Sequence, residues 1–257
     1  MVFDRRLGKV FKKSSFDYHN SRKGYPNQLF LDIVKISGIN KKSEVLDIGC
    51  GSGLSTLPIT KKGYSITGID PSKELIKIAR KNAIKGRPEY ILAAFEKYKF
   101  KENYFDLIIS GQAFHWLDEK VAYKKCFNIL KKNGYLAIFG KFNDYKKSIF
   151  LKELREIYIK HCKYYPQGLY HDDYASHYVK EIEKTSLFTK IISKQYRHYL
   201  KYSLKDYRTN ILSNSWMIKL DNSKKKEVLR KIDNLLAQFK WPMKVPFGAA
   251  LIMAKKR

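Results

Sequence analysis

Apolar residues recur along this chain with a helical period in some segments and in short continuous runs in others. Between Asn27 and Ser37 the positions Leu29, Phe30, Ile33, Val34 and Ile36 share one face of a helix that stops at Gly38. Glu44 to Ile48 reads as a short buried strand closed by Gly49, followed by a helix over Leu54 to Lys62 that ends before Gly63. The pattern repeats with a strand at Tyr64 to Ile69, a helix at Pro71 to Asn82 with its proline near the first turn, and strands at Glu89 to Ala94 and Phe105 to Ser110. A helix over Glu119 to Leu130, stopped by Asn133-Gly134, leads to a strand at Tyr135 to Phe139. Strand and helix alternating in this way predict an α/β fold with a doubly wound, mostly parallel sheet.

Beyond Phe139 the alternation breaks. Helices at Ser148 to Cys162 and Asp172 to Lys184 flank a loop around Pro166 and Gly168. A strand at Lys190 to Tyr199, helices at Ser203 to Leu212 and Lys224 to Phe239, and a strand at Ala249 to Ala254 complete the chain. The expectation is a seven-stranded sheet in a single domain over 1–257, with residues 144–188 and part of 203–240 forming a helical cap. Ligands of open α/β sheets lie outside the carboxyl ends of the strands. A cap there, dense in Tyr158, Tyr164, Tyr165, Tyr170, Tyr174 and Tyr178, suits an enclosed organic ligand, with most of these rings simply packing.

Composition narrows the classes. The 257 residues are 44% hydrophobic, enough for a sizeable core, yet no apolar run reaches the roughly 18 residues of a membrane span. Met1-Val2-Phe3-Asp4-Arg5-Arg6 carries no apolar stretch of the secretory kind, so a cytoplasmic location is expected. Cys50, Cys126 and Cys162 are odd in number and far apart, which fits reduced thiols rather than disulfides or zinc. His161, His171, His177 and His198 do not place three ligands on one helix face, so no metal is expected.

The formal charge of +28 points toward polyanions, but 42 of the 52 basic residues are Lys and only 10 are Arg. Pairs such as Lys12-Lys13, Lys41-Lys42, Lys131-Lys132 and Lys255-Lys256 are scattered at helix ends and loops, as on a solvated surface. A nucleic-acid partner remains the alternative that this charge leaves open.

The sharpest local signal is Val45-Leu46-Asp47-Ile48-Gly49-Cys50-Gly51-Ser52-Gly53. Its glycines are spaced GxGxG, not GxGxxG as in the dinucleotide fingerprint, and Asp47 precedes them. A pyrophosphate site has little use for a carboxylate there, whereas a ligand carrying an ammonium group does. Asp70 ends the second strand, where an acid can accept hydrogen bonds from both hydroxyls of a ribose.

On these residues the chain resembles the class I S-adenosylmethionine-dependent methyltransferases. Val45 to Gly53 is similar to their motif I, and Asp70 matches their ribose-binding acid. The likeness extends to the type 11 branch, with its ubiquinone/menaquinone-biosynthesis and trans-aconitate methyltransferases. Phe16-Asp17-Tyr18 through Arg22-Lys23-Gly24-Tyr25-Pro26 resembles that branch's FD…Y…RPxYP segment. Phe105 to Ser110 followed by Ala113-Phe114-His115-Trp116 resembles the motif after strand four, and Leu130 to Leu136 the LKPGGxL turn.

The resemblance implies a Rossmann-like sheet, S-adenosylmethionine as cofactor, and methyl transfer to oxygen or nitrogen of a small organic molecule, a carboxylate among the candidates. RNA or protein methylation by way of the basic surface is the alternative. It also implies roles. The Gly49, Gly51 and Gly53 backbone, with Cys50, lines the methionine moiety, Asp47 lies near its ammonium, and Asp70 holds the ribose with Pro71 beside it. Arg22 faces the cofactor carboxylate and Tyr18 helps cover it. Ser110, Gly111 and Gln112 line the cofactor near the sulfonium. Ala94 stands where the family often has an acid, leaving Phe95 to pack on the adenine.

His115, just after strand four, is the candidate general base, and it equally suits holding a loop or the substrate. No [DN]PP[YFW] follows strand four, as amine methylation of adenine or glutamine expects. No Cys follows strand four or five, so covalent pyrimidine chemistry lacks its nucleophile.

Overall fold

A computed structural model describes residues 24–84, 88–165 and 174–257. They fall into two compact units: a sheet unit of residues 24–140, 174–196 and 249–257, and a second unit whose described residues are 141–165 and 197–248.

In chain order the elements are α1 (Asn27–Ser37), β1 (Glu44–Ile48), α2 (Thr56–Lys61), β2 (Ser65–Asp70), α3 (Lys73–Lys81), β3 (Glu89–Leu92), β4 (Phe105–Gly111), α4 (Glu119–Ile129) and β5 (Leu130–Asn143). Then come α5 (Ile149–His161), α6 (Tyr174–Thr185), β6 (Phe188–Tyr202), α7 (Leu204–Leu212), α8 (Ser215–Ile218), α9 (Asn222–Ala237) and β7 (Met243–Lys256). The sheet has seven strands in the order β3-β2-β1-β4-β5-β7-β6. The pairs β3–β2, β2–β1, β1–β4 and β4–β5 are parallel. The expected doubly wound, mostly parallel sheet is therefore present, and its strand order turns back at β1 and β4.

That reversal positions the site. β1 runs in register with β2 (Asp47 opposite Gly68) and with β4 (Asp47 opposite Ile109), so the loops leaving all three strands emerge at one edge. The sheet unit's core packs Leu29, Phe30 and Ile33 of α1 against Val45, Ile66, Leu107, Ile109, Phe139, Leu251 and Met253. Burying each such side chain contributes roughly 1.5–3 kcal/mol. Phe139 stands at the centre, with the rings of Tyr25 and Phe30 edge-on at 4.9 and 5.9 Å. α6 belongs to this unit: a Cβ on Gly140 would lie 2.4 Å from the Tyr174 ring, and Tyr178 meets Phe114 at 6.1 Å. The second unit has its own core, built from Phe150, Leu154 and Tyr158 of α5 with Val228, Ile232 and Leu236 of α9.

Local expectations hold where punctuation is strong. α1 ends at Gly38 in the left-handed conformation (φ 68°), and α3 starts behind Ser72, whose hydroxyl accepts from the Leu75 amide. They fail where it is weak. α4 stops at Ile129, and Leu130 is already extended and paired with Phe105, with Asn133 taking a positive φ of 68° inside the strand. Strands β5, β6 and β7 are longer than their apolar runs predict. No helix of the described residues is long and apolar enough to cross a membrane.

Candidate functional site

The loop after β1 is built on three glycines with positive φ: Gly49 (66°), Gly51 (53°) and Gly53 (89°). The Gly49 and Cys50 amides donate to the Ile69 carbonyl of β2 at 2.8 and 3.2 Å, and the Gly53 amide closes the turn on the Cys50 carbonyl. Two of the glycines are also sterically required. A Cβ on Gly49 would lie 2.4 Å from Ala113 Cβ, and one on Gly53 would lie 2.8 Å from the Tyr90 hydroxyl. At Gly51 the nearest described atom to such a Cβ is Leu75 Cδ1 at 3.9 Å, an ordinary contact, so no described residue crowds the backbone there.

Two buried acids flank this loop. Asp70, at the end of β2, accepts from the Gly51 amide (3.0 Å) and the Ser72 amide (2.8 Å), tying the glycine loop to the start of α3. Burial pushes its carboxyl upward, and the two amides oppose that shift. Asp47 is fully buried. Its Oδ2 accepts from Ser55 Oγ (2.7 Å) and Thr56 Oγ1 (2.6 Å), while Oδ1 has no hydrogen-bond partner among the described residues. Burial raises its carboxyl to about 7, the two hydroxyls pull it down, and the charge of Asp70 adds to the rise.

The neighbouring strand ends complete the group. Ser110 is buried in β4 and donates its hydroxyl to the Ile48 carbonyl (3.0 Å), joining β4 to β1 at the root of the loop. Gly111 sits against the Phe139 ring and Tyr25, where a Cβ would come to 2.7 and 3.0 Å. Gln112 takes a positive φ of 58° and donates its amide to the Phe139 carbonyl. Ala113 brings this turn onto Gly49, and His115 follows in a single helical turn, buried, with its ring 4.5 Å from that of Trp116.

Cys50 turns away from the open side of the loop. Its sulfur packs over Gly68, and burial with two nearby carboxylates pushes its thiol well above the usual range, which leaves its backbone for ligand contact. Pro71 is exposed in the turn between β2 and α3. Phe95 is buried next to Phe100, with the Lys125 ammonium 5.1 Å from its ring centre, and the Ala93 amide donates to the Asp70 carbonyl. Arg22 and Tyr18 lie outside the described residues.

Sequence reasoning assigned no role to Ser55, Thr56 or Tyr90, and named Ala113 only as part of a motif. A signal existed for the first two: adjacent hydroxyls at the head of α2, eight and nine residues after Asp47. Tyr90 and Ala113 reach the loop only through tertiary packing. Together these residues suit a nucleoside carrying a cationic tail. An acid ends β2 beside the glycine loop, and Asp47 Oδ1 is a buried acceptor with no donor among the described residues.

Fold and loop thus define a doubly wound α/β protein with a nucleoside-type site at its switch point. Residues 46–138 match the family model described as a methyltransferase domain. The ubiquinone biosynthesis O-methyltransferase of Pelagibacter ubique is 34% identical over 186 residues, 71% of this chain and 72% of that protein. A Dictyostelium discoideum protein named as a methyltransferase is 33% identical over 138 residues, and the chain spans only 49% of its length. A solved structure from Anaeromyxobacter dehalogenans, titled as a type II methyltransferase, superposes with a TM-score of 0.62 at 16% identity over 92% of this chain and 97% of that one. The chain belongs to the class I S-adenosylmethionine-dependent methyltransferases.

Proposed function

We propose that the protein transfers a methyl group from S-adenosylmethionine to a small organic molecule. The observation that supports the cofactor half is the pair of buried acids around the glycine loop: Asp70 at the end of β2, and Asp47 Oδ1 without a donor among the described residues. The small-molecule half is supported by the Pelagibacter relative, whose name places it in ubiquinone biosynthesis.

The bound cofactor supplies an electrophilic methyl group on a sulfonium. The chain's contribution is alignment. Gly49, Gly51 and Gly53 let backbone approach the methionine portion, Asp47 receives its ammonium, Asp70 holds the ribose, and the turn Ser110 to Gln112 borders the sulfonium side. Phe95 packs on the adenine. His115, next to that turn, takes the proton when the acceptor is a hydroxyl or amine, whereas a carboxylate acceptor needs no base.

Titration calorimetry with S-adenosylmethionine, S-adenosylhomocysteine and NAD tests the cofactor half. Both sulfur nucleosides are expected to bind and NAD is not. Asp70→Ala is expected to weaken binding about 10- to 100-fold, since each lost hydrogen bond to a charged group is worth about 1.5–3 kcal/mol. Labelled methyl transfer to a panel of phenols, amines and carboxylic acids, run beside total RNA and a protein mixture, tests the acceptor. The +28 charge favours the macromolecular reading, and label appearing only in RNA or protein would establish it in place of ours.

A further inference from the structure

The second unit holds a polar cluster beside an otherwise apolar core. The Asn143 amide, at the end of β5, donates to the Tyr145 hydroxyl (3.2 Å), and the Tyr145 and Tyr165 hydroxyls lie 2.9 Å apart. Arg155 rises from the middle of α5, with its guanidinium carbon 5.5 Å from the Tyr145 ring centre. Its Nε is buried and has no hydrogen-bond partner among the described residues.

The guanidinium otherwise meets the Tyr165 hydroxyl and the Tyr145 ring, and what it lacks is the carboxylate that other arginines of this chain hold. Arg197 pairs with Asp144 at 2.7 Å, and Arg208 grips Asp233 with two hydrogen bonds of 2.7 and 3.0 Å. Arg155 has no carboxylate partner among the described residues. A guanidinium nitrogen kept from water and left unpaired costs free energy that an oxyanion recovers, because the planar fork matches carboxylate and phosphate geometry.

The tyrosines add to the same chemistry. Burial pushes both hydroxyls up, so they remain protonated donors, and the nearby charge that opposes this is the cationic Arg155. In the arrangement where Tyr145 accepts from Asn143 and donates to Tyr165, the Tyr165 proton is left for a further acceptor. Asn143, Tyr145 and Arg155 are each half-buried, so the cluster keeps some access to solvent.

We propose that Arg155, Tyr145, Tyr165 and Asn143 form a binding site for the carboxylate or phosphate group of a small organic acid. The inference goes beyond the methyl-transfer reading, and it is measured without cofactor, so each stands or falls separately.

Calorimetry on the full chain, with benzoate, phenyl phosphate and neutral benzamide as probes, tests it. At least one anion is expected to bind, and benzamide about tenfold more weakly or not at all. Stronger binding of phenyl phosphate than benzoate assigns the site to phosphate esters, and the reverse order to carboxylic acids. Arg155→Ala is expected to weaken the preferred anion at least about tenfold while S-adenosylhomocysteine binding stays within about twofold. Tyr165→Phe, which keeps the ring and removes one donor, is expected to weaken it several-fold and serves if the arginine variant does not fold. Benzamide binding as tightly as benzoate, failure of both anions to bind, or wild-type affinity in both variants overturns the proposal.

Discussion

Replacing Asp47 by asparagine is expected to make the cofactor-free protein more stable at about pH 8 while weakening its hold on the cofactor. The wild-type carboxyl is fully buried and raised from an ordinary value of 3.8 to about 7. A raised acid binds its proton more tightly in the folded state than in the unfolded chain, so its contribution to stability falls as pH rises through the window from 3.8 to about 7 and is level above it. At 1.36 kcal/mol per pH unit that window amounts to about 4 kcal/mol at most. An asparagine of the same shape carries no charge to desolvate. Its side-chain oxygen can replace Oδ2 as acceptor for Ser55 and Thr56, which leaves the NH2 where Oδ1 has no partner, at a cost of about 1–3 kcal/mol. The net gain at about pH 8 is then roughly 1–3 kcal/mol, or a few degrees in Tm for a chain of this length.

The assay is thermal unfolding of wild type and Asp47→Asn from about pH 5 to pH 8.5, with the difference in Tm plotted against pH. The variant's advantage should grow by up to about 3 kcal/mol between pH 5 and pH 7 and then hold, since that span is two pH units of the window. Parallel curves, or an advantage that shrinks with rising pH, would refute the assignment of Asp47 as a carboxyl held neutral by burial.

Cofactor binding to the wild type should strengthen as pH rises toward about 7 and release up to one proton at about pH 6, because an ammonium needs the ionised Asp47. Calorimetry in buffers of different ionisation enthalpy reads that proton, and its persistence in Asp47→Asn would remove Asp47 from the linkage. Gly53→Ala should cost about 1–3 kcal/mol by denaturant unfolding, since its φ is 89° and the new Cβ meets the Tyr90 hydroxyl; Tyr90→Phe in the same chain should recover part of the loss. Any binding of RNA or DNA is expected to be sequence-blind and steeply salt-dependent, and tight binding of one structured RNA at physiological salt would contradict a merely solvated lysine surface.

The amino-acid pattern made the switch-point half of the sheet legible because each element there is marked by its own chemistry. Glu44–Ile48 is a short buried strand, with Val45, Leu46 and Ile48 apolar, ended by a glycine that adopts positive φ, and Asn27–Ser37 ends at a left-handed Gly38. The later strands lack such marks. β6 spans Phe188–Tyr202, but most of it is half-buried or exposed and studded with Lys and Arg, so its apolar signal covers only the middle. β7 begins six residues before its apolar run and carries Pro246 within its buried stretch, which argues against a strand from sequence alone. α8 is four residues long, too short for a helical period to register.

At the site, glycine spacing and the two acids could be read because each residue type answers a local demand. The direction of the Cys50 sulfur, the commitment of the Ser110 hydroxyl to Ile48, and the meeting of Arg155 with two tyrosines depend on contacts between distant segments, which no local pattern encodes.

One feature of the glycine-loop site argues for a cationic ligand independently of any motif. This chain has 52 basic residues against 24 acidic ones, and the other buried carboxylates, Asp32 and Asp144, each hold a basic partner. Asp32 is bound by Lys194, Asp106 by Lys131, Asp144 by Arg197 and Asp233 by Arg208. Asp47 and Asp70, the two acids that flank the loop, have no such partner among the described residues. They are held by hydroxyls and backbone amides, and the Asp70 charge raises the Asp47 carboxyl further. Leaving two neighbouring buried carboxylates without a lysine in a lysine-rich protein costs stability that a single substitution could restore. The arrangement is economical once a ligand brings the missing positive charge, because a resident lysine would compete with that ligand's ammonium for Asp47 Oδ1. On the proposed reading, the stability forgone at these two acids in the free protein is the complement of the affinity gained when a positively charged nucleoside binds.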